Sequence, residues 1–327
     1  MLNKSSLSIL ILYLAMSLQT VVAAGVPRVI VSTDIGGSDP DDYQSMVHYL
    51  VYADRFQTEG LISSPPNAGR LEHILECLDM YEKDFDNLQT WSSSYPLPED
   101  LRGLSRQGAI EAQSGEMPDR AISDGAKLII ERAQAELPEP LYILVWGSIT
   151  DVAQAVHHAP EIVSRLRIYS IGSWNTRHDQ KARDYLFNEH PDLWWIECDS
   201  TFRGMYMGGM QEGEFGNELF LEKNVARHGH LGDFLVSKMA QIKMGDTPSV
   251  LYLLHGLPDN PEAEHWGGAF IWPFPESRPT YWHDNPDPSL SINERAGAKT
   301  VYKWRLDYLT DWKNRMDRLL MTRPTGQ

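Results

Sequence analysis

Four aspartates fall within nine residues near the start of this chain, at Asp34, Asp39, Asp41 and Asp42. The β-branched run Val29-Ile30-Val31-Ser32-Thr33 delivers Asp34 to the glycine turn Gly36-Gly37, and Asp41 and Asp42 stand just before a helical pattern. Carboxylates so dense repel and drive one another towards protonation unless an opposite charge sits among them. A hard divalent cation held by oxygen ligands meets that need, and several carboxylates favour Ca²⁺. An aspartate left facing a water polarised by the cation is a general base. The competing reading is an Asp-rich turn that caps the next helix. Capping accounts for one or two of these aspartates, not for four.

The elements that must position them alternate. Residues 28–32 read as a strand, 41–53 as a helix, 58–63 as a strand and 71–81 as a helix with Leu71, Ile74, Leu75 and Leu78 at helical spacing. A helix over 123–136 is capped by Ser123 and closed before Pro138. The nearly continuous apolar run 141–146 marks a strand covered on both faces. A helix over 149–158, a strand over 166–171, a helix over 180–189 and a strand over 193–197 follow. This order predicts an α/β fold with a mostly parallel central sheet and helices on both faces, Rossmann-like, with ligands at the carboxyl ends of strands. Beyond Gly204, residues 233–243 and 248–254 read as helices, 256–290 as a long Pro- and Trp-rich loop, and about 293–321 as one amphipathic helix. No linker or repeat divides the chain, so residues 25–327 are expected to form one domain.

The chain has 327 residues, 29 basic and 45 acidic, for a net charge of −16. That balance argues against a nucleic-acid partner, which needs a basic footprint. It suits a small neutral ligand and a bound cation. Residues 1–24 carry the marks of a signal peptide: Lys4, an apolar stretch from Leu7 to Leu18, and Val22-Ala23-Ala24 before the cut. The stretch is short for a bilayer span, so the expectation is export to the periplasm or the exterior with no stable membrane insertion; a retained anchor is the competing reading. Cys77 and Cys198 read as buried thiols, with a bridge permitted by export. Homo-oligomerisation stays open.

Five motifs together resemble the nucleoside hydrolase superfamily, most closely its exported nucleoside hydrolase-like branch once labelled cellulose-binding, over roughly residues 28 to 320. The superfamily's first strand ends D-x-D-x-G-x-D-D; here Ser32-Thr33-Asp34 stands for D-x-D, and an insertion containing Asp39 precedes Asp41-Asp42. The resemblance implies that Asp34 is a Ca²⁺ ligand and the general base on the attacking water, that Asp42 is a ligand, and that Asp41 holds a sugar hydroxyl. Gly60-Leu61-Ile62-Ser63-Ser64-Pro65-Pro66-Asn67 resembles G-I-T-T-x-x-G-N and implies a sugar contact for Asn67. Gly147-Ser148-Ile149-Thr150-Asp151 resembles G-P-L-T-N and implies that the Thr150 carbonyl coordinates the metal. Ser173-Trp174-Asn175, with Asp179 and Ala182, resembles E-F-N-x-x-x-D-P-x-A; Asn175 takes the 5′-hydroxyl side, and Ser173 replaces the glutamate. Gly245-Asp246-Thr247-Pro248 resembles H-D-P and implies Asp246 as the last ligand, a helix N-cap being its alternative; Gly245 replaces the histidine that helps the leaving base depart.

The leaving-group acid is therefore open among His178, His255, Glu264 and His265. Trp174, Trp266, Trp272 and Trp282 either stack on sugar rings or fill core. The expected activity is Ca²⁺-dependent hydrolysis of a glycosidic bond at a furanose-like sugar, in a nucleoside or a glycan fragment. The alternative is a carbohydrate-binding protein that keeps the calcium and sugar site without turnover. A phosphatase is disfavoured, since no basic phosphate clamp accompanies the acidic cluster.

Overall fold

The computed structural model describes residues 25–37, 39–66, 68–117, 121–208 and 210–320. The expected signal segment and Asn67 lie outside them. Strands β1 (Arg28–Thr33), β2 (Gln57–Ser63), β3 (Ser105–Gln107), β4 (Leu141–Val145), β5 (Leu166–Ile171), β6 (Trp194–Cys198), β7 (Phe270–Ile271) and β8 (Tyr281–Asp284) form one sheet in the order β3-β2-β1-β4-β5-β6-β8-β7. Every pairing is parallel except β7 with β8. The α/β architecture is as the alternation predicts.

Helices α1 (Asp41–Val51), α2 (Leu71–Trp91), α3 (Pro98–Gly103), α4 (Asp124–Gln134), α5 (Thr150–His158), α6 (Trp174–His178), α7 (Gln180–Glu189), α8 (Asn217–Asn224), α9 (Gly229–Lys238), α10 (Thr247–Leu254), α11 (Ala298–Tyr302) and α12 (Arg305–Met316) surround it. The strands are apolar on both sides because both are covered. On one face Val29, Val31, Tyr142, Leu144 and Tyr169 pack with apolar residues of α1, α2, α8, α9, α10 and α12. On the other, Ile30, Ile143, Val145 and Ile168 meet α4, α5 and α7. Cys77 and Cys198 are buried and unbridged. Among the described residues no helix is long and apolar enough to cross a membrane.

Several elements differ from expectation: α2 runs on to Trp91 rather than ending at 81, and β3, α3 and α8 were not read from the sequence. The region 256–290 is not all loop: β8 joins the sheet beside β6 through Trp195–Tyr281 and Glu197–His283 partners. The first helix beyond residue 225 runs over Gly229–Lys238, not 233–243. The C-terminal helix does not begin at 293, because Asn293 and Glu294 have φ of 46° and 64°, in the left-handed region that opposes a right-handed helix. It starts at Ala298 and breaks at Lys303-Trp304.

Strand order reverses between β1 and β4. β2 and β3 lie on one side of that point, and β5, β6 and β8 on the other. Ligands in such sheets bind beyond the carboxyl ends at this reversal.

Candidate active site

A cavity of about 280 Å³ opens at that point, and its lining includes Asp34, Asp41, Asp42, Trp146, Asn175 and Asp246. Asp34 leaves β1 into a turn closed by Gly37 N–H on the Asp34 carbonyl at 2.9 Å, with Gly36 at φ 87°. Asp41 and Asp42 open α1. Neither serves as a capping side chain, because the residue before the helix is Pro40 and no side-chain cap forms. The Thr33 hydroxyl donates to Asp42, and the backbone N–H of Gly245 donates to Asp41. Asp246 sits at the head of α10, yet its side chain makes no capping bond there either. Ser45 Oγ on α1 approaches its carboxylate at 3.5 Å. The Asp-rich segment is thus not a set of caps.

Burial and mutual repulsion govern these carboxyls. Asp34 is pushed up to about 7, by burial first and the Asp41 charge second. Asp41 rises to about 7, by burial and then by Asp42. Asp42 is raised by burial and the Asp34 charge, and shares a side-chain hydrogen bond with Asp34. Asp246 is raised by burial and then by Asp42, Asp41 and Asp34. The nearest cation in the lining, Lys243, pairs with Asp39 instead. Among the described residues no group of three or more His, Cys, Asp or Glu side chains is already arranged as a metal cage. The donor chemistry nevertheless suits Ca²⁺: all four are hard-oxygen donors, Asp42 and Asp246 buried and Asp34 and Asp41 half-buried, and the repulsion among them is what a divalent ion relieves.

Asn175 bridges two strand ends, donating through Nδ2 to the carbonyls of Trp146 at 2.7 Å and Ile171 at 3.1 Å. Trp174 lines the cavity, 37% exposed, and stacks on His178 with ring centroids 3.6 Å apart. Trp146 is tied to the helix behind Asp246, its Nε1 donating to Ser249 Oγ at 2.8 Å.

Thr150, whose carbonyl was expected on the metal, is not in the lining. It begins α5 in a buried network, its hydroxyl 2.9 Å from Ser148 Oγ and from both Asp179 oxygens, and accepting from Gln113 N–H at 2.9 Å. The residue after β4 that lines the cavity is Trp146, four positions earlier. Trp266 stacks on His255 at 4.9 Å, packs against the core, and is not in the lining. Of the four candidate acids, none lines the cavity. His265 has its ring nitrogens 2.9 Å from the Ala263 and Leu257 carbonyls, Glu264 pairs with Lys303, and His178 lies against the Trp174 carbonyl.

Phe202, Arg203 and Tyr206 line the cavity and were not singled out in the sequence. They follow the carboxyl end of β6, the same signal that locates the lining residues after β1, β4 and β5; Lys243, Gly245 and Asp246 instead stand ahead of α10. A Cβ at Gly245 would already stand 3.2 Å from the Phe202 ring and 3.5 Å from that of Tyr206. Two aromatic rings therefore crowd the position where the superfamily carries its histidine.

A family model for the nucleoside hydrolase-like domain of cellulose-binding Sde182 proteins matches residues 28–270. The chain belongs to this family. The Sde182-type fold is shared by a nucleoside hydrolase-related hypothetical protein of Saccharophagus degradans associated with carbohydrate metabolism: TM-score 0.71, 23% identity, 91% of this chain and 73% of that one covered. A plant nucleoside hydrolase matches with TM-score 0.51 and 14% identity over 91% of this chain and all (100%) of its own. The type III effector XopQ, solved with adenosine diphosphate ribose, matches with TM-score 0.53 and 13% identity over 89% and 94%. At these identities the likeness is one of fold. Among curated proteins no sequence is significantly similar to this Sde182-type chain.

Proposed function

We propose that this Sde182-type protein is an exported Ca²⁺-dependent hydrolase of a glycosidic bond at a furanose-like sugar, in a nucleoside or a glycan fragment. The observation that carries the reading is the convergence of Asp34, Asp41 and Asp42, from one nine-residue segment, with the remote Asp246 on one cavity at the sheet's reversal point. Asp34, Asp42 and Asp246 would hold the ion, which supplies the positive charge that keeps them ionised and orients water and sugar hydroxyls. Asp34 accepts the proton of the attacking water as its oxygen bonds to the anomeric carbon. The bond to the leaving group breaks with its electron pair departing on that group, through an oxocarbenium-like transition state stabilised by the surrounding carboxylates. Asp41 and Asn175 hold sugar hydroxyls, and Trp174 presents an aromatic face to the ring.

A second reading is a carbohydrate-binding protein without turnover. It is favoured by the absence from the lining of all four candidate acids. The two separate on reducing-sugar release from a panel of nucleosides and oligosaccharides, with Ca²⁺ or a chelator. The hydrolase reading expects release that chelation abolishes and that Asp34→Asn lowers by about 10²-fold or more, the scale of a lost general base. Sugar binding without release from any member overturns it in favour of the binding protein.

A further inference from the structure

Carboxylates are not the only charges in the cavity, because Arg203 also lines it. We propose that Arg203 forms a subsite that selects sugars bearing an anionic group, a carboxylate or a phosphate, on the side of the ring away from the reacting bond. The inference rests on reading the cavity as a sugar site.

Arg203 lines the cavity with its guanidinium already held in place. Nη1 donates to the Asp199 carbonyl at 2.6 Å, Nη2 donates to Ser173 Oγ at 3.0 Å, and the guanidinium carbon lies 4.4 Å from the Phe202 ring centroid. Both fixed acceptors are neutral. Other cations here meet carboxylates, Lys243 on Asp39 and Arg183 on Glu197; among the described residues no carboxylate lies within ion-pair reach of Arg203. A planar fork, always charged and partly out of water, is the group that binds carboxylate or phosphate through paired hydrogen bonds.

The mount beneath it is built rather than incidental. Ser173 has φ 61°, a conformation a non-glycine residue holds only when its surroundings impose it. Its N–H donates to Asp199 Oδ1 at 2.6 Å, and the other oxygen of that carboxylate lies 3.3 Å from His283 Nε2. Gly172 makes room for this: a Cβ there would come within 1.9 Å of Asp199 Oδ1. Thus Asp199 serves the Ser173 backbone and His283, and the Ser173 hydroxyl is left to orient Arg203. Ser173 is also where the superfamily pattern places a glutamate. A carboxylate there would neutralise Arg203, whereas a serine hydroxyl leaves its charge for a ligand.

Tyr206, also in the lining, lies among both kinds of charge: burial raises its phenol first, Arg203 lowers it, and Asp41 and Asp246 raise it. A cavity that holds both carboxylates and a cation favours the orientation of a charged sugar that sets its anionic group against Arg203, since the reverse sets like charges together.

The test is calorimetric binding to the full chain with Ca²⁺, using two matched pairs: ribose 5-phosphate against ribose, and galacturonate against galactose. Wild type should bind at least one anionic member about tenfold or more tighter than its neutral partner, as expected for one charge-assisted contact. Added salt should narrow that gap. The preference should vanish in Arg203→Gln, shrink in Arg203→Lys, which keeps charge but loses the fork, and persist in Lys303→Met, a charge removed outside the cavity. A phosphate-only preference or a carboxylate-only preference supports the subsite and names its ligand. Neutral sugars binding as tightly as their anionic partners, or a preference that survives Arg203→Gln, overturns the subsite and leaves the sugar-site reading standing. Failure of all four to bind removes both.

Discussion

Asp34 and Asp41 hold carboxyls at about 7, each raised by burial first and by a neighbouring aspartate second. In the unfolded chain the same groups titrate near about 3.9. The metal-free fold therefore binds more protons than the unfolded chain between about pH 4 and pH 7, and its stability falls as pH rises through that window. Asp42 and Asp246, raised in the same direction, add to the effect. A chelated sample should melt at a lower temperature near pH 8 than near pH 5, and Ca²⁺ should restore most of the loss near pH 8, where the ligands are ionised. Thermal scans in chelator and in Ca²⁺ across that range check it. A flat profile in chelator would mean that the four carboxyls do not repel as their positions imply.

Elements carry the site by holding one another at fixed offsets. Asp84 on α2 shows how: its buried carboxylate accepts the backbone N–H of His230 at 3.0 Å and of Leu231 at 2.8 Å, capping α9 from outside its own chain segment. The cap satisfies donors that the helix cannot and places negative charge at its positive end. Asp84→Ala should lower unfolding free energy by about 1–2 kcal/mol, read by urea denaturation, the cost of losing a helix cap. The same element scale explains the departures from expectation. α9 begins at Gly229 because the distant Asp84 caps it there, and nothing near residue 229 announces that partner. β8 is four residues long with polar His283 and Asp284 among its four, so its alternation is too short to read; it is a strand because β6 lies open beside it.

At the scale of the molecule, one apolar layer joins the first strand to the last helical turn among the described residues. Val29 of β1 and Leu319 beyond α12 belong to the same buried cluster. Trp312 of α12 is its keystone on that side: fully buried, 5.2 Å from the Phe220 ring and 5.4 Å from His48 of α1. Trp312→Ala should destabilise the fold by about 3–5 kcal/mol, the usual cost of emptying a large buried aromatic site. Because the layer is shared, secondary structure and tryptophan environment should be lost together. Circular dichroism and fluorescence through one denaturant series check this; two separated transitions would divide the chain into independent units. The net charge of −16 acts at the same scale by drawing cations to the molecule.

Contiguous residues were enough to read the alternation, the sheet class and the acidic loop, because strand periodicity and a nine-residue carboxylate cluster are local properties of the chain. The motif after β4 was legible as a strand end, but which of its residues meets the cavity was not. Trp146 is in its lining, whereas the Thr150 side chain is taken up by the network around Asp179. Likewise Trp266 is drawn to His255 and away from the cavity. Arg203, Phe202 and Tyr206 join the site only because β6 lies two strands from β4, bringing its carboxyl end beside that of β5. Sequence alone pointed to the carboxylates that line the acidic part of the cavity. Packing at the reversal of strand order decided the rest, because a cavity is made by residues distant in the chain, and their proximity is set by sheet order and helix packing rather than by spacing.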